Sequence, residues 1–361
     1  TLAVIREATV RLVQAPPHTV LVVLGYPDMA SAADAVPALL GLHPVAVEGL
    51  DARIVDVVRA QRAAHGGGPI PELPPGTGWL MVELGGADPG ELGARAVEVI
   101  GASGALGARV VEHLGETAAL WRIREDGAGL SSRSPRGRPA HAGWEDSAVP
   151  PANLGAYLRA FDALLTTHDL TGIPYGHFGD GCLHIRLDLP LDGRDGAGAL
   201  RAFLTDAADL VAAHGGSMSG EHGDGRARSE LLPRMYSPAA LSLFADVKEL
   251  FDPDGVLNPG IVVRPAAVDA DLRLAQPRAP HRLTEEVHRC TGVGKCRADT
   301  TAAGGVMCPS YLATRDEKDS TRGRARVLQE MVNGTLITGG WRAPEVHEAL
   351  DLCLSCKGCA S

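Results

Sequence analysis

The chain has 361 residues, 45% of them apolar, and a formal net charge of -10, enough for two domains and a sizeable core. The acidic balance and the lack of any Lys/Arg run exclude a phosphate-binding groove for nucleic acid. Small metabolites or protein partners tolerant of an acidic surface are the expected ligands, and no apolar stretch approaches the roughly 20 residues of a membrane-spanning helix.

Residues 1–13 alternate Ala, Val and Ile with polar residues as a strand would, without the basic start and apolar block of a signal peptide. The absence of an initiator Met gives the expectation that the chain begins mid-protein. Strands are predicted at residues 5–13, 19–24, 78–84 and 117–123. Apolar residues at three and four spacing predict helices at 31–40, 90–100, 151–167, 199–213 and 238–251. Interleaved strands and helices suggest an α+β layer fold. Residues 124–150, rich in Gly, Ser, Arg and Pro, read as a functional loop. A proline-bearing linker at 265–280 separates a first domain, 1–264, from a second, 281–361, with helices predicted at 322–333 and 344–352.

The segment from Gly172 to Leu187 is the most informative. Asp180-Gly181 is a favoured two-residue hairpin turn. Counting outward, Gly179 faces Cys182, Phe178 faces Leu183 and His177 faces His184, which brings two imidazoles to cross-strand contact distance, suited to a divalent metal. Arg186 falls on the same face, where a guanidinium could hold a substrate carboxylate. The plainer alternative is a pair of histidines on the wet face of a hairpin.

Gly215-Gly-Ser-Met-Ser-Gly-Glu-His-Gly-Asp-Gly225 packs a Glu-His pair between glycines, with the two side chains expected on opposite sides. Glu221 would complete a set of two histidines and one carboxylate with positions open for substrate. His222 would be free to act as a base. A glycine-rich turn with incidental charge is the competing reading.

Six of the seven cysteines lie between Cys290 and Cys359, a clustering that suits a metal or cluster site in a reducing compartment, hence a cytoplasmic location, better than dispersed disulfides. Cys353, Cys356 and Cys359 are spaced C-x2-C-x2-C, the first three ligands of a ferredoxin-type run, and Cys308-Pro309 supplies a distant fourth. These four are expected to hold one 4Fe-4S cluster. Cys290 and Cys296 would need a further ligand for a second, and a structural zinc is the alternative. Cys182 reads as a small packed residue.

Together, Thr1 to Leu12, Trp121-Arg-Ile-Arg-Glu125, the paired histidines, Gly220-Glu-His-Gly223 and Phe251-Asp-Pro-Asp-Gly-Val-Leu-Asn-Pro-Gly260 resemble the C-terminal cap domain of the flavin-linked oxidase family. That family includes D-2-hydroxyglutarate and D-lactate dehydrogenases and the glycolate oxidase flavin subunit. The resemblance implies an antiparallel sheet with helices, followed by a small α-helical ferredoxin-like domain. It implies FAD held mostly on an upstream domain, with Asn258 in the stretch that returns to it. It also implies zinc or manganese on His177, His184 and Glu221, His222 as the base, and Arg124 pairing with the substrate carboxylate. Ala128 and Arg186 stand where the hydroxyglutarate enzymes carry Thr and Asn, which leaves the hydroxy acid open. Arg186 and the attached cysteine module resemble large bacterial hydroxyglutarate dehydrogenases with iron-sulfur domains.

The expected activity is oxidation of a D-2-hydroxy acid, hydroxyglutarate or lactate, with electrons passing through flavin and cluster to a quinone pool or an electron-transfer protein. Alternatives are a metal-dependent hydrolase on the same residues and a non-catalytic iron-sulfur adaptor.

Overall fold

The computed structural model of the chain describes every residue except 65–68, 131–133, 135, 137, 192, 194, 273–280, 288–289, 291, 293, 299–307 and 358–361. The chain divides into two compact units: Thr1–Arg136, Ala140–Asp188 and Gly198–Ala270 form the first, and Gly137–Pro139, Leu189–Ala197 and Asp271–Ser361 the second.

In the first unit, β1 (His18–Tyr26), β2 (Ala46–Asp51), β3 (Gly78–Gly86) and β4 (Gly107–Val111) form one sheet. Its order is β2-β3-β1-β4 and every neighbouring pair is antiparallel. β1 is a continuous apolar run because its residues are buried whichever way they point. Helices α1 (Met29–Leu40) and α3 (Pro89–Ser103) pack against the sheet. On α2 (Ala52–Ala64) and α4 (Leu114–Leu130), Ile54, Val58, Leu120 and Ile123 join Leu21, Val23, Trp79 and Met81 in one apolar core.

Aspartates start two of these helices: Asp28 accepts from Ser31 N at 2.6 Å and Asp88 from Glu91 N at 2.8 Å, each satisfying an amide that the first turn leaves unpaired. A second sheet joins β5 (Ser147–Ala148), β6 (Gly172–Tyr175) and β7 (Cys182–Leu187) in the order β5-β7-β6, again antiparallel. An isolated bridge between Gly49 and Gly176 ties β2 to the chain leaving β6. Helices α5 (Leu154–Thr167), α6 (Gly196–Ala213), α7 (Gly225–Arg228) and α8 (Pro238–Phe251) complete the chain to residue 251.

The five helices predicted before residue 264 and the strands at 19–24 and 78–84 fall within observed elements, with residues 151–153 forming a 3₁₀ turn that leads into α5. Two strand expectations are corrected. Residues 117–123 lie inside α4, where Leu120 and Ile123, three apart, are both fully buried on one helical face. Residues 5–13 form no regular element and are exposed; alternation makes a strand only where a partner edge accepts its backbone.

The second unit contains α9 (His281–Val287), α10 (Pro309–Thr314), α11 (Thr321–Asn333) and α12 (Pro344–Asp351), and no strand among the described residues. Val287, Met331, Val332, Ala343 and Val346 form its small core. Ser320 caps α11 by accepting from Gly323 N at 2.9 Å, and Gly334 ends it at φ 65°. The described residues support an α+β first unit and a helical second unit, and go no further toward a ferredoxin-like fold. Among them no helix is long and apolar enough to cross a membrane.

Candidate metal site

The histidine hairpin forms, in a different register from the expected one. Tyr175, not His177, lies opposite His184, and Ile173 lies opposite Arg186. The difference arises in the turn. Gly176, at φ 147°, leaves the ladder to bridge with Gly49. Phe178–Asp180 then coil as a 3₁₀ turn, Gly181 closes it at φ 70°, and Cys182 N donates to His177 O at 3.1 Å. Asp180-Gly181 therefore ends a longer loop instead of making a two-residue one. The imidazoles of His177 and His184 still meet, nearly perpendicular, with ring centres 5.4 Å apart.

The Glu-His loop is held by a residue absent from the sequence reading. Asp146 is fully buried, and its carboxylate accepts from Glu221 N at 2.9 Å and from His222 N at 2.8 Å. Its backbone sits at φ 92°, a conformation that costs of order 1–3 kcal/mol for a non-glycine residue and persists only where surroundings enforce it. Two successive amides turned to one carboxylate bend the chain, so Glu221 and His222 do not project to opposite sides. Their side chains meet, His222 Nε2 lying 3.3 Å from Glu221 Oε1. Gly220 makes the approach possible: a Cβ there would lie 2.7 Å from Cys182 Sγ.

Three imidazoles converge on one carboxylate oxygen. Glu221 Oε1 lies 3.2 Å from His184 Nε2, 3.3 Å from His222 Nε2 and 3.5 Å from His177 Nε2. Ligand atoms about 2.0–2.1 Å from a tetrahedral ion stand about 3.3 Å from one another, so these separations suit donors sharing one ion. Asp146, His184, Glu221 and His222 each place a donor atom within 4.8 Å of the other three; His177 joins the set through Glu221. Burial pulls the pKa of His184 down to about 4 against the opposing effect of Glu221, so its imidazole is neutral and able to ligate near pH 7. Burial, reinforced by Asp146, pushes the Cys182 thiol up to about 12, which leaves it a protonated, packed neighbour.

Behind His177 stands Glu48, also missed in the sequence. Its Oε1 is 2.7 Å from His177 Nδ1 and its Oε2 is 2.7 Å from Arg124 Nε. Burial raises the Glu48 carboxyl, while Arg124 and His177 oppose that rise. Arg186 is similarly paired, its Nε 3.1 Å from Glu145 Oε1. Tyr175, between them in the network, is pushed up to about 12 by burial and by Glu145. The signal that could have found Glu48 is a charge inside the apolar run from Val45 to Leu50, since a buried carboxylate requires a partner. Asp146 and Glu145 fall in the predicted functional loop but carry no spacing that marks them. Asn258 lies exposed on the loop after α8, at φ 54°.

The expected 4Fe-4S cluster is overturned. Among the described residues the donor group is the His-Glu-Asp set, and no cysteine belongs to it. Cys308 Sγ is instead engaged by Asp319 O at 2.9 Å and by Arg324 Nη1 at 3.1 Å. Burial would raise this thiol, but the Tyr311 amide and Arg324 outweigh it and bring it below the usual range. Cys296 Sγ accepts from Arg322 N at 3.3 Å, Cys290 is half-buried, and Cys353 and Cys356 are exposed. Cys359, the remaining predicted ligand, lies outside the described residues.

A family model described as FAD linked oxidases, C-terminal domain, matches residues 15–262. The D-2-hydroxyglutarate dehydrogenase of Escherichia coli (strain K12) is 27% identical over an alignment covering 100% of this chain and 41% of that protein. The protein of the same name from Pseudomonas putida is 27% identical over 100% of this chain and 41% of its own length. A D-lactate dehydrogenase of Archaeoglobus fulgidus is 28% identical over 73% of this chain and 56% of that protein. The chain thus spans about two fifths of the length of the hydroxyglutarate enzymes it resembles.

Proposed function

The chain belongs to the family of FAD linked oxidase C-terminal domains, and on that premise we propose that it is the substrate-binding part of a flavin-dependent dehydrogenase. The reaction is oxidation of a D-2-hydroxy acid to the 2-oxo acid. The observation that carries this reading is the convergence of three Nε2 atoms on Glu221 Oε1 at 3.2–3.5 Å, in a chain whose relatives include dehydrogenases named for such acids.

His177, His184 and Glu221 are assigned as metal ligands. Asp146 is set apart as a clamp, because both of its oxygens already accept backbone amides. His222, the outermost imidazole at 55% exposure, is assigned to take the substrate hydroxyl proton at Nε2. Arg124 and Arg186 supply guanidinium groups for the substrate carboxylate, each held in place by a glutamate, Glu48 or Glu145. A divalent cation, when bound, supplies the positive charge that makes a hydroxyl more acidic.

The flavin is assigned to no cradle at the starts of α1, α2 or α3. α1 and α3 each have a first-turn amide taken, by Asp28 and Asp88, and α2 follows β2 directly with Asp51 accepting from Arg53 N. A pyrophosphate needs such amides open. Asn258 is the one residue proposed to face it. Electrons then leave to an acceptor outside the site.

The test is reduction of an artificial dye by the intact protein against a panel of D- and L-2-hydroxy acids, before and after chelation. Reduction with D-acids, lost to chelator and restored by zinc or manganese, is expected. Turnover indifferent to chelator, or turnover of none of the panel, would overturn the assignment.

A further inference from the structure

We propose that Glu48 is a positioning residue that fixes both the orientation and the tautomer of His177, with Arg124 as its counter-ion. The metal-affinity part of this inference rests on the function proposed above; the tautomer part does not.

Glu48 sits in the apolar strand β2 and is 7% exposed. A carboxylate so placed is costly unless charged or hydrogen-bonding groups meet both of its oxygens. They do: Oε2 forms an ion pair with Arg124 Nε and Oε1 meets His177 Nδ1 in a hydrogen bond, each at 2.7 Å. The backbone reinforces the pairing, since Gly49 N donates to Gly176 O at 2.9 Å, immediately before His177. The Phe178 ring lies where a Cβ on Gly49 would come within 2.3 Å of it. His177 is therefore gripped on both sides of its Cα by β2.

Two neighbours make opposite demands on His177 Nδ1. Glu48 as a carboxylate needs a proton there, whereas Arg124 Nη2, at 3.2 Å, could donate only to a bare nitrogen. The shorter contact, to Glu48, decides for Nδ1–H. That tautomer leaves Nε2, 3.5 Å from Glu221 Oε1, without a proton and open to an ion shared with that oxygen, and an imidazole hydrogen-bonded to a carboxylate through its other nitrogen is a stronger metal ligand. The opposite tautomer would turn a proton toward the place an ion would occupy.

The experiment reads the tautomer first, by nitrogen-15 NMR of histidine-labelled, metal-free protein, with the His177 signal assigned by its loss in His177→Gln. The parent is expected to show Nδ1–H at His177. Glu48→Ala should shift it toward Nε2–H, and Glu48→Gln, whose amide oxygen still accepts, should keep the parent form. Titration with Zn2+ follows: affinity should fall about 10–100-fold in Glu48→Ala and less in Glu48→Gln. An Nε2–H tautomer in the parent, or a tautomer unmoved by Glu48→Ala in a protein with unchanged circular dichroism, overturns the proposal. If the tautomer shifts as expected but the parent takes up no Zn2+, the positioning role stands and the metal reading fails.

Discussion

His177, His184, Glu221 and His222 lie on a turn, a strand and a loop that are bonded to one another, whereas Cys308 starts a helix and Cys353 and Cys356 lie on an exposed segment after α12. Both regions contain residue types that bind metals at suggestive spacings. What separates them is the backbone beneath. In the first unit, Asp146 holds the Glu221 and His222 amides, and the Gly49–Gly176 bridge holds the entry to His177. In the second, Cys308, the one buried cysteine among the described residues there, already has Arg324 and Asp319 as partners. Donors converge where their supports are cross-linked, because fixing several flexible side chains on one point costs conformational entropy that packing must offset.

The largest expected effect tests whether that convergence binds an ion. Glu221→Gln removes the charge on which three imidazoles meet, and it should lower divalent-metal uptake and dye reduction at least about 100-fold, while Cys353→Ser leaves metal uptake unchanged. Equal losses from both substitutions would erase the contrast between the two regions.

A second effect is a pH dependence carried by His184 in the first unit. His184 has its pKa lowered from 6.5 to about 4 in the fold, first by burial. The unfolded chain therefore binds more protons between those values, and stability is full above pH 6.5 and lost as pH falls toward 4. The loss amounts to about 3 kcal/mol. Urea unfolding at pH 7 and pH 4.5, in chelator, should show it, and His184→Gln should flatten the slope; an unchanged slope in that variant would assign the dependence to other groups.

The smallest concerns the second unit. Arg324, 8% exposed, donates to Ala349 O at 2.8 Å and contacts Cys308, so Arg324→Ala should destabilise α11 and α12 by about 2 kcal/mol. Hydrogen exchange should quicken there and stay unchanged at β6 and β7. Quickened exchange at the histidine hairpin instead would show that the two regions are not independently held.

Much of this was legible in the chain itself. Amphipathic spacing located the helices at 31–40, 90–100 and 151–167, and continuous apolar runs located β1 and β3. The unit between them was passed over: β2 and α2 follow one another without a break, and β2 carries Glu48 inside its apolar run. Residues 117–123 misled for a related reason, since Leu120 and Ile123 with alternating neighbours fit a short strand as well as one helical turn until the flanking residues are counted.

At the site, the chemistry on offer could be read from the chain: imidazoles at 177, 184 and 222, a carboxylate at 221, and glycines that let their backbones approach. A glycine between polar residues marks either a close approach, as at Gly220, or a positive φ, as at Gly223. The register of the hairpin, the side of the loop on which Glu221 and His222 project, and the identities of Glu48 and Asp146 behind them emerged in three dimensions. Those depend on hydrogen bonds between residues 75 to 129 positions apart, and a partner that distant leaves no periodicity in the sequence for local spacing to reveal.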